Sequence, residues 1–216
     1  LLIIDNNSVS PVETSVDLSW HPGSRILSEQ ELGLTPARLR GIKEANAGLL
    51  VFVDDDNVLR EDYLEVALNI HRKYSFIGAF GGNCIPEFES EPPLPLNYLG
   101  ILALREVKED SWSNNYQSKA RPVGAGMVIL KKVAEAYASE LNNNQRRKAL
   151  DRKGDSLMSA GDTDLAYTAL DLGYGYGVFK ELYLVHLIPS SRLSEKYLLN
   201  LKRLTRYSNI KLQYLR

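Results

Sequence analysis

A single cysteine, Cys84, has nothing in this chain to pair with, so no intrachain disulfide staples the fold. A reducing compartment suits such a chain. Apolar runs are short as well, and none approaches the roughly 18 residues of a membrane-spanning helix. Leu1–Ile4 is apolar, but Asp5 closes it and no basic segment precedes it, so it lacks the form of a signal peptide. Excess charge is also missing. A net charge of −1 sets up no bulk field that would draw in nucleic acid. Neither internal repeats nor low-complexity tracts occur. What remains is an ordinary globular composition, 44% hydrophobic and 25% charged, over 216 residues. That length suits one large domain or two small ones with a sizeable core. The chain opens directly on an apolar run where most domains begin with polar residues, so further sequence is expected upstream.

The apolar pattern alternates between short runs and helical stripes. Leu1–Ile4 reads as a buried strand closed by the turn cluster Asp5-Asn6-Asn7-Ser8. Residues 9–36 are punctuated by Pro11, Pro22, Gly23, Gly33 and Pro36. Pro36 to Ala47 reads as a helix, with Pro36 in its first turn, Leu39, Ile42 and Ala45 along one side, and Gly48 after its end. Leu49–Val53 is a strand stopped by three aspartates. Glu61–Tyr74 is a helix and Phe76–Gly82 a short strand. Residues 86–122 form a long, proline-rich connection with a short helix at Leu96–Val107, and connections of this length tend to serve function. Val123–Leu130 reads as a strand, Lys131–Glu140 as a helix, and Asn142-Asn143-Asn144 as the start of a polar, basic loop. Asp162–Leu172 is a helix, Gly177–Leu187 a strand, and Tyr197–Tyr207 a final helix. Strands alternating with helices predict an α/β fold whose sheet is largely parallel at its start.

Four positions carry chemistry. In Val53-Asp54-Asp55-Asp56-Asn57, strand alternation puts Asp54 and Asp56 on one side. Adjacent carboxylates repel, and a hard divalent cation shared with substrate phosphates relieves that repulsion. The carboxyl end of a buried strand is also where α/β sheets bind ligands. A solvated acidic turn capping the next helix is the plain alternative. Asp162, in Ser159-Ala160-Gly161-Asp162-Thr163-Asp164, falls at a helix N-terminus. Ser159 and Asp162 have the spacing of a capping box with Asp in place of Glu. Equally, the helix terminus favours negative charge there and would fix a general base facing a substrate. His186, at the end of a strand, suits a core or edge position on its own, and with two aspartates it could complete a divalent-metal site. Arg192, six residues later, is a plain surface arginine or a bidentate partner for a diphosphate.

Residues 192–216 form a basic, amphipathic segment. Arg192, Lys196, Lys202, Arg203, Arg206, Lys211 and Arg216 face Glu195 alone, with Tyr197, Leu198, Leu201 and Leu204 interleaved. Such a segment can lie on an anionic membrane or pack on the acidic remainder of its own domain.

Taken in order, these pieces resemble the family 2 glycosyltransferases, inverting enzymes of the GT-A fold. The series is Ile3-Ile4-Asp5-Asn6-Asn7-Ser8, Gly33-Leu34-Thr35-Pro36-Ala37-Arg38, Phe52-Val53-Asp54-Asp55-Asp56, Gly124-Ala125-Gly126-Met127, Gly161-Asp162-Thr163-Asp164-Leu165, Gly173-Tyr174, then His186 and Arg192. Together they span nearly the whole chain. The resemblance implies a three-layer α/β/α, Rossmann-like catalytic domain with a mixed, mostly parallel sheet over residues 1–216. It implies that Asp5 reads the nucleotide base and that Arg38 lies near base and diphosphate. Here Leu39 replaces the asparagine of the family's Ala-Arg-Asn pattern. Asp54 and Asp56 match a DxD motif, with Asp54 near ribose and metal and Asp56 on the metal. Asp55 and Arg192 belong to the nucleotide-sugar site, and His186 joins the metal or diphosphate. Asp162 matches the catalytic base of a Glu-Asp pair whose glutamate is here Gly161. The family's opening strand, of the type Val-Ile-Pro-x-Tyr-Asn, has no counterpart in these residues.

The implied partners are a nucleotide-diphosphate sugar, a UDP-sugar foremost, with Mn²⁺ or Mg²⁺ and a glycan or lipid-linked acceptor. No nucleic acid is expected. Cell-surface polysaccharide or glycoconjugate synthesis, in the cytoplasm or at the inner face of the membrane, is the setting that fits. Two other functions remain open from the sequence. A sugar-phosphate nucleotidyltransferase would share the nucleotide-binding half, but its N-terminal Gly-rich loop with a basic residue is not visible here. A non-catalytic domain of the same fold would only bind glycans or partners.

Overall fold

The structure is a computed structural model that describes residues 1–12 and 15–216. Its centre is a sheet in the strand order β3-β7-β5-β8-β4, with β6 also on β8. The strands are β3 (Leu49–Val51), β4 (Asn57–Leu59), β5 (Ile77–Phe88), β6 (Ser111–Ser113), β7 (Val128–Leu130) and β8 (Gly175–Ile188). A separate pair, β1 (Leu2–Asp5) and β2 (Arg25–Ser28), runs parallel in register Leu2 with Arg25. The sheet is mixed, as expected. The long β5–β8 ladder and the β1–β2 pair are parallel and hold most of the registered partners. The four shorter ladders are antiparallel.

Helices cover both faces because successive strand residues point to opposite sides. On one face, α1 (Leu34–Glu44), α3 (Lys131–Asn142) and α5 (Gly161–Asp171) bury Ile42, Val133, Tyr137, Leu165 and Ala169 against Ala79 and Ile129. On the other, α2 (Tyr63–Lys73) buries Tyr63, Ala67 and Ile70 against the neighbouring strand residues Phe80 and Val128. The three-layer α/β/α arrangement expected from the sequence is thus built. A short α4 (Gln145–Lys148) follows α3 in what reads as a polar loop. The last helix, α6 (Glu195–Leu215), starts at Ser194, whose hydroxyl accepts from the Tyr197 N–H at 3.3 Å. Leu198 and Leu201 join Leu99, Leu102 and Ile188, while Leu212 meets Leu150 and Ala160. Of the two roles open to the basic tail, packing on its own domain is realised along this face. No helix among the described residues is long and apolar enough to cross a membrane.

Element bounds differ from the sequence reading at telling places. β5 runs on to Phe88, past the Gly81-Gly82 pair at which the sequence reading ends the strand. Glycine is needed there because a Cβ at position 82 would run into the main chain of Leu182 and Phe179. β2 and β6, of four and three residues, are too short to show periodicity and fall in segments read as irregular. The helix expected at Leu96–Val107 is a 3₁₀ turn over Leu96–Leu102, ended by Ala103 in the left-handed region.

Candidate active site

The apolar strand β3 delivers the acidic motif to one end of the sheet. Asp54–Asp56 form a turn beyond the strand, not its continuation, and Asn57 begins β4. Asn57 closes this turn by accepting the Asp54 N–H at 3.3 Å and donating to the Asp56 carboxylate at 2.9 Å. Asp54 and Asp56 are half-buried on the inner side and Asp55 is exposed. The spacing expected from strand alternation therefore survives in a turn.

β4 pairs with β8 so that Asn57 faces His186. This register brings His186 Nε2 to 3.3 Å from Asp56 Oδ2, and Arg192 Nη1 donates to the same oxygen at 2.6 Å. Burial would raise the Asp56 pKa, but the hydrogen bonds and charges of His186 and Arg192 outweigh it and hold the carboxyl below its ordinary range. His186 is buried, and its Nδ1 has no hydrogen-bond partner among the described residues.

Asp54 leads to a second group. Arg38, on α1, is buried with Nη2 at 3.9 Å from Asp54 Oδ1 and Nη1 at 3.5 Å from Asp151 Oδ2. Its ring neighbour is Phe52, 5.8 Å from the guanidinium carbon. Burial would lower the Arg38 pKa, but the charges of Asp151, Asp54 and Asp162 raise it above the usual value. Asp162 lies across Gly124. The Gly124 N–H donates to its Oδ2 at 3.1 Å, and a Cβ on Gly124 would stand 2.9 Å from Arg38 Nη2 and 3.2 Å from the Asp162 Cβ. Glycine at 124 thus permits the approach of arginine and aspartate. The helix N-cap is Ala160, which makes no side-chain cap, so the Ser159–Asp162 capping box is not formed. Asp162 Oδ1 accepts the Thr163 N–H at 2.7 Å, which leaves this carboxylate fixed in the first turn of α5.

Asp5, at the end of β1, keeps its bonds within its own loop, accepting the N–H groups of Ser8 at 2.9 Å and Val12 at 3.3 Å. Hydrogen bonds from Ser8 lower its pKa. The following Asn6 ties this loop to α1 by accepting the Gly33 N–H at 2.7 Å. Gly33 has φ +130°, which a side chain would strain.

The structure therefore unites Arg38, Asp54 and Asp162 in one group and Asp56, His186 and Arg192 in another, joined through the acidic turn. Two members were missed from sequence. Asp151 lies in a stretch read as a basic loop, where only the apolar Ala149-Leu150 before it hints at burial. Arg105, whose pKa is lowered by burial and by Arg121, feels the Asp162 charge and donates to the Arg121 carbonyl at 2.5 Å.

Among the described residues, no cluster of three or more His, Cys, Asp or Glu converges as a ready-made metal centre. The donor chemistry still fits a hard divalent cation of the kind held by one or two carboxylates plus substrate phosphates. Asp56 and His186 already meet, and the free Nδ1 leaves Nε2 as the nitrogen that faces the carboxylate.

The model for Glycosyl transferase family 2 matches residues 1–121, and the chain belongs to that family. No curated protein matches it. Its fold is similar to the crystal structure of S. aureus TarS 1-349, at TM-score 0.56 and 13% identity, over 86% of this chain and 50% of that one. It is likewise similar to S. aureus TarS 1-349 in complex with UDP-GlcNAc, at TM-score 0.52 and 10% identity, over 97% of this chain and 56% of that one. The chain thus spans about half the length of these structures.

Proposed function

We propose that residues 1–216 form a catalytic domain that transfers a sugar, with inversion, from a nucleotide-diphosphate sugar to an acceptor hydroxyl. The observation that carries this reading is the approach of both Asp162 and Arg38 to Gly124, beside the acidic turn. A fixed base and a buried cation then flank one place at the sheet end. An Asp162 carboxylate oxygen takes the proton of the acceptor hydroxyl as its oxygen bonds to the anomeric carbon. The bond from that carbon to the diphosphate breaks, and its electron pair leaves with the diphosphate. Arg38 and Arg192 add positive charge where the leaving group gains negative charge. Asp5, Asp54 and Asp55 orient the nucleotide. A divalent cation, Mn²⁺ or Mg²⁺, held by Asp54, Asp56 and His186, would act as a Lewis acid on that diphosphate. Arg192 must then share or leave Asp56, and the diphosphate is its natural new partner.

Family membership and the UDP-GlcNAc complex of TarS, a structure of similar fold, favour a UDP-sugar donor. The test is thermal denaturation with UDP-sugars and Mn²⁺. At a hundredfold excess over Kd, a ligand adds about 2.7 kcal/mol of stability, which is a rise of roughly 5–10 °C at this chain length. No rise with any UDP-sugar would defeat the donor reading. Pyrophosphate release from a sugar phosphate and an NTP would instead favour a nucleotidyltransferase.

The acceptor is a glycan or lipid-linked sugar of polysaccharide or glycoconjugate synthesis, met at the cytoplasmic face of an anionic membrane. The exposed side of α6 supports that setting. Leu199, Tyr207, Ile210 and Tyr214 stand exposed opposite the buried Leu198, Leu201 and Leu212. Lys196, Arg203 and Arg206 lie on or beside that stripe. Vesicles containing anionic lipid should sediment the protein and neutral ones should not. Equal sedimentation with both would remove the membrane from the picture.

A further inference from the structure

The second acidic residue of this site arrives from an unexpected place. α5 has Gly161 beside Asp162, and the other acid of its first turn, Asp164, is bound to Arg147. The space a side chain at 161 would fill is not empty. A Cβ at that position would run into the Asp151 carboxylate, closer than real atoms approach. Asp151 precedes α5 by a loop and is 5% exposed. Its Oδ1 accepts the Arg152 N–H at 3.0 Å. Its Oδ2 accepts the Thr35 hydroxyl at 3.4 Å and meets Arg38 Nη1 at 3.5 Å. The Leu34 N–H donates to the Arg152 carbonyl at 2.9 Å, which locks this loop to the first turn of α1. Asp151 therefore meets one Nη group of the Arg38 guanidinium, and Asp54 the other.

We propose that Asp151 supplies from the loop the carboxylate that α5 lacks at position 161, and that it is a positioning residue that aims Arg38 at Asp54 and Asp162. Three points carry this. Arg38 is buried and its Nε has no hydrogen-bond partner among the described residues, so its polar contacts are made through its two Nη groups. One of these meets Asp151 and the other Asp54. The Asp151 carboxylate can occupy that space only while position 161 is glycine, so a side chain at 161 and the loop carboxylate compete for one place.

The proposal rests on the reading that Arg38 and Asp54 hold the nucleotide, so its test has one arm with nucleotide and one without. Asp151→Ala, Gly161→Glu and the double variant are compared with the natural protein. With UDP and Mn²⁺, calorimetry should show at least a tenfold weaker Kd for Asp151→Ala, which leaves Arg38 without its rear partner. Gly161→Glu alone should weaken binding too, because the new side chain collides with Asp151. The double variant, with the carboxylate moved to the helix, should return to within about threefold of the natural Kd. That would be a non-additive pair of the kind expected of groups sharing one place. Without nucleotide, the ¹⁵N guanidinium resonances of Arg38, assigned through Arg38→Lys, should broaden in Asp151→Ala and sharpen again in the double variant. Failure of the natural protein to take up UDP would count against the donor reading, while the guanidinium spectrum would still decide this one. An Asp151→Ala variant with unchanged Arg38 resonances overturns the proposal. So does a double variant that recovers its melting temperature but neither the resonances nor, where UDP binds, the affinity, since Asp151 would then only fill space.

Discussion

Replacing Asp151 by Asn should make the protein gain stability relative to the natural one as pH rises towards neutrality. Burial pushes the Asp151 carboxyl up, and the nearby Asp162 adds to this, while Arg38 opposes it. The result is a pKa of about 6 against an ordinary value of 3.8. The folded state therefore holds this proton more tightly than the unfolded chain does. Its favourable contribution is complete below pH 3.8 and is lost as pH rises through 6. At 1.36 kcal/mol per pH unit the loss amounts to about 3 kcal/mol. Asn resembles the neutral acid in shape and does not titrate. Urea unfolding of both proteins from pH 4 to 8 isolates the effect. The stability of Asp151→Asn relative to the natural protein should climb between pH 4 and 6.5 by roughly 2–3 kcal/mol and then stay level. Any constant offset from altered hydrogen bonds drops out of the slope. A difference flat in pH, or one that falls as pH rises, would refute the argument, because Asp151 would then be well compensated by Arg38.

Other substitutions test separate links. Asp162→Asn should cut transfer by about 10²- to 10⁴-fold while UDP and Mn²⁺ still raise the melting temperature; undiminished turnover would remove Asp162 as the base. Tyr63→Phe deletes the hydroxyl that donates to the buried Gly126 carbonyl at 2.6 Å, and should cost about 1–3 kcal/mol in urea unfolding. Gly82→Ala drives a methyl into the main chain of Leu182 and Phe179. It should lower stability by at least about 1–3 kcal/mol, seen as a melting temperature several degrees lower; an unchanged one would mean that β5 and β8 can part without strain.

The legible parts of this fold were those with long repeats or an abrupt change of chemistry. The apolar run Leu49–Val53 stopping at three aspartates announces both a strand and its end, and only its last two residues leave the strand. The helices α1, α2, α3 and α5 show in their apolar spacing because each buries one stripe. What could not be read depends on pairing across the chain. β2 is a strand only because β1 offers it an edge. The Gly81-Gly82 pair looks like a break until the main chain near Leu182 is seen crossing it. Asp151 carries no local signature, since its meaning lies with Arg38, 113 residues earlier, and with the absence of a side chain at Gly161.

The same distinction applies to the acidic turn. In sequence Asp54-Asp55-Asp56 is a repulsive triplet in need of a counter-charge. In the folded chain the three carboxylates have separate fates. Asp54 faces Arg38, Asp55 faces solvent, and Asp56 is held by Arg192 and His186. Much of the repulsion is therefore relieved by the protein's own cations. A divalent ion is not required to hold the turn together, and under the proposed function it would act on the substrate. A diphosphate arriving at this end would draw Arg192 from Asp56, freeing a carboxylate and an imidazole just as phosphate oxygens become available as the remaining ligands. Metal and nucleotide should accordingly bind as a pair, each weakly alone. Mn²⁺ without UDP should shift the melting temperature little, UDP without Mn²⁺ little more, and the two together by more than the sum. Equal shifts for Mn²⁺ alone and Mn²⁺ with UDP would show that Arg192 does not guard the site.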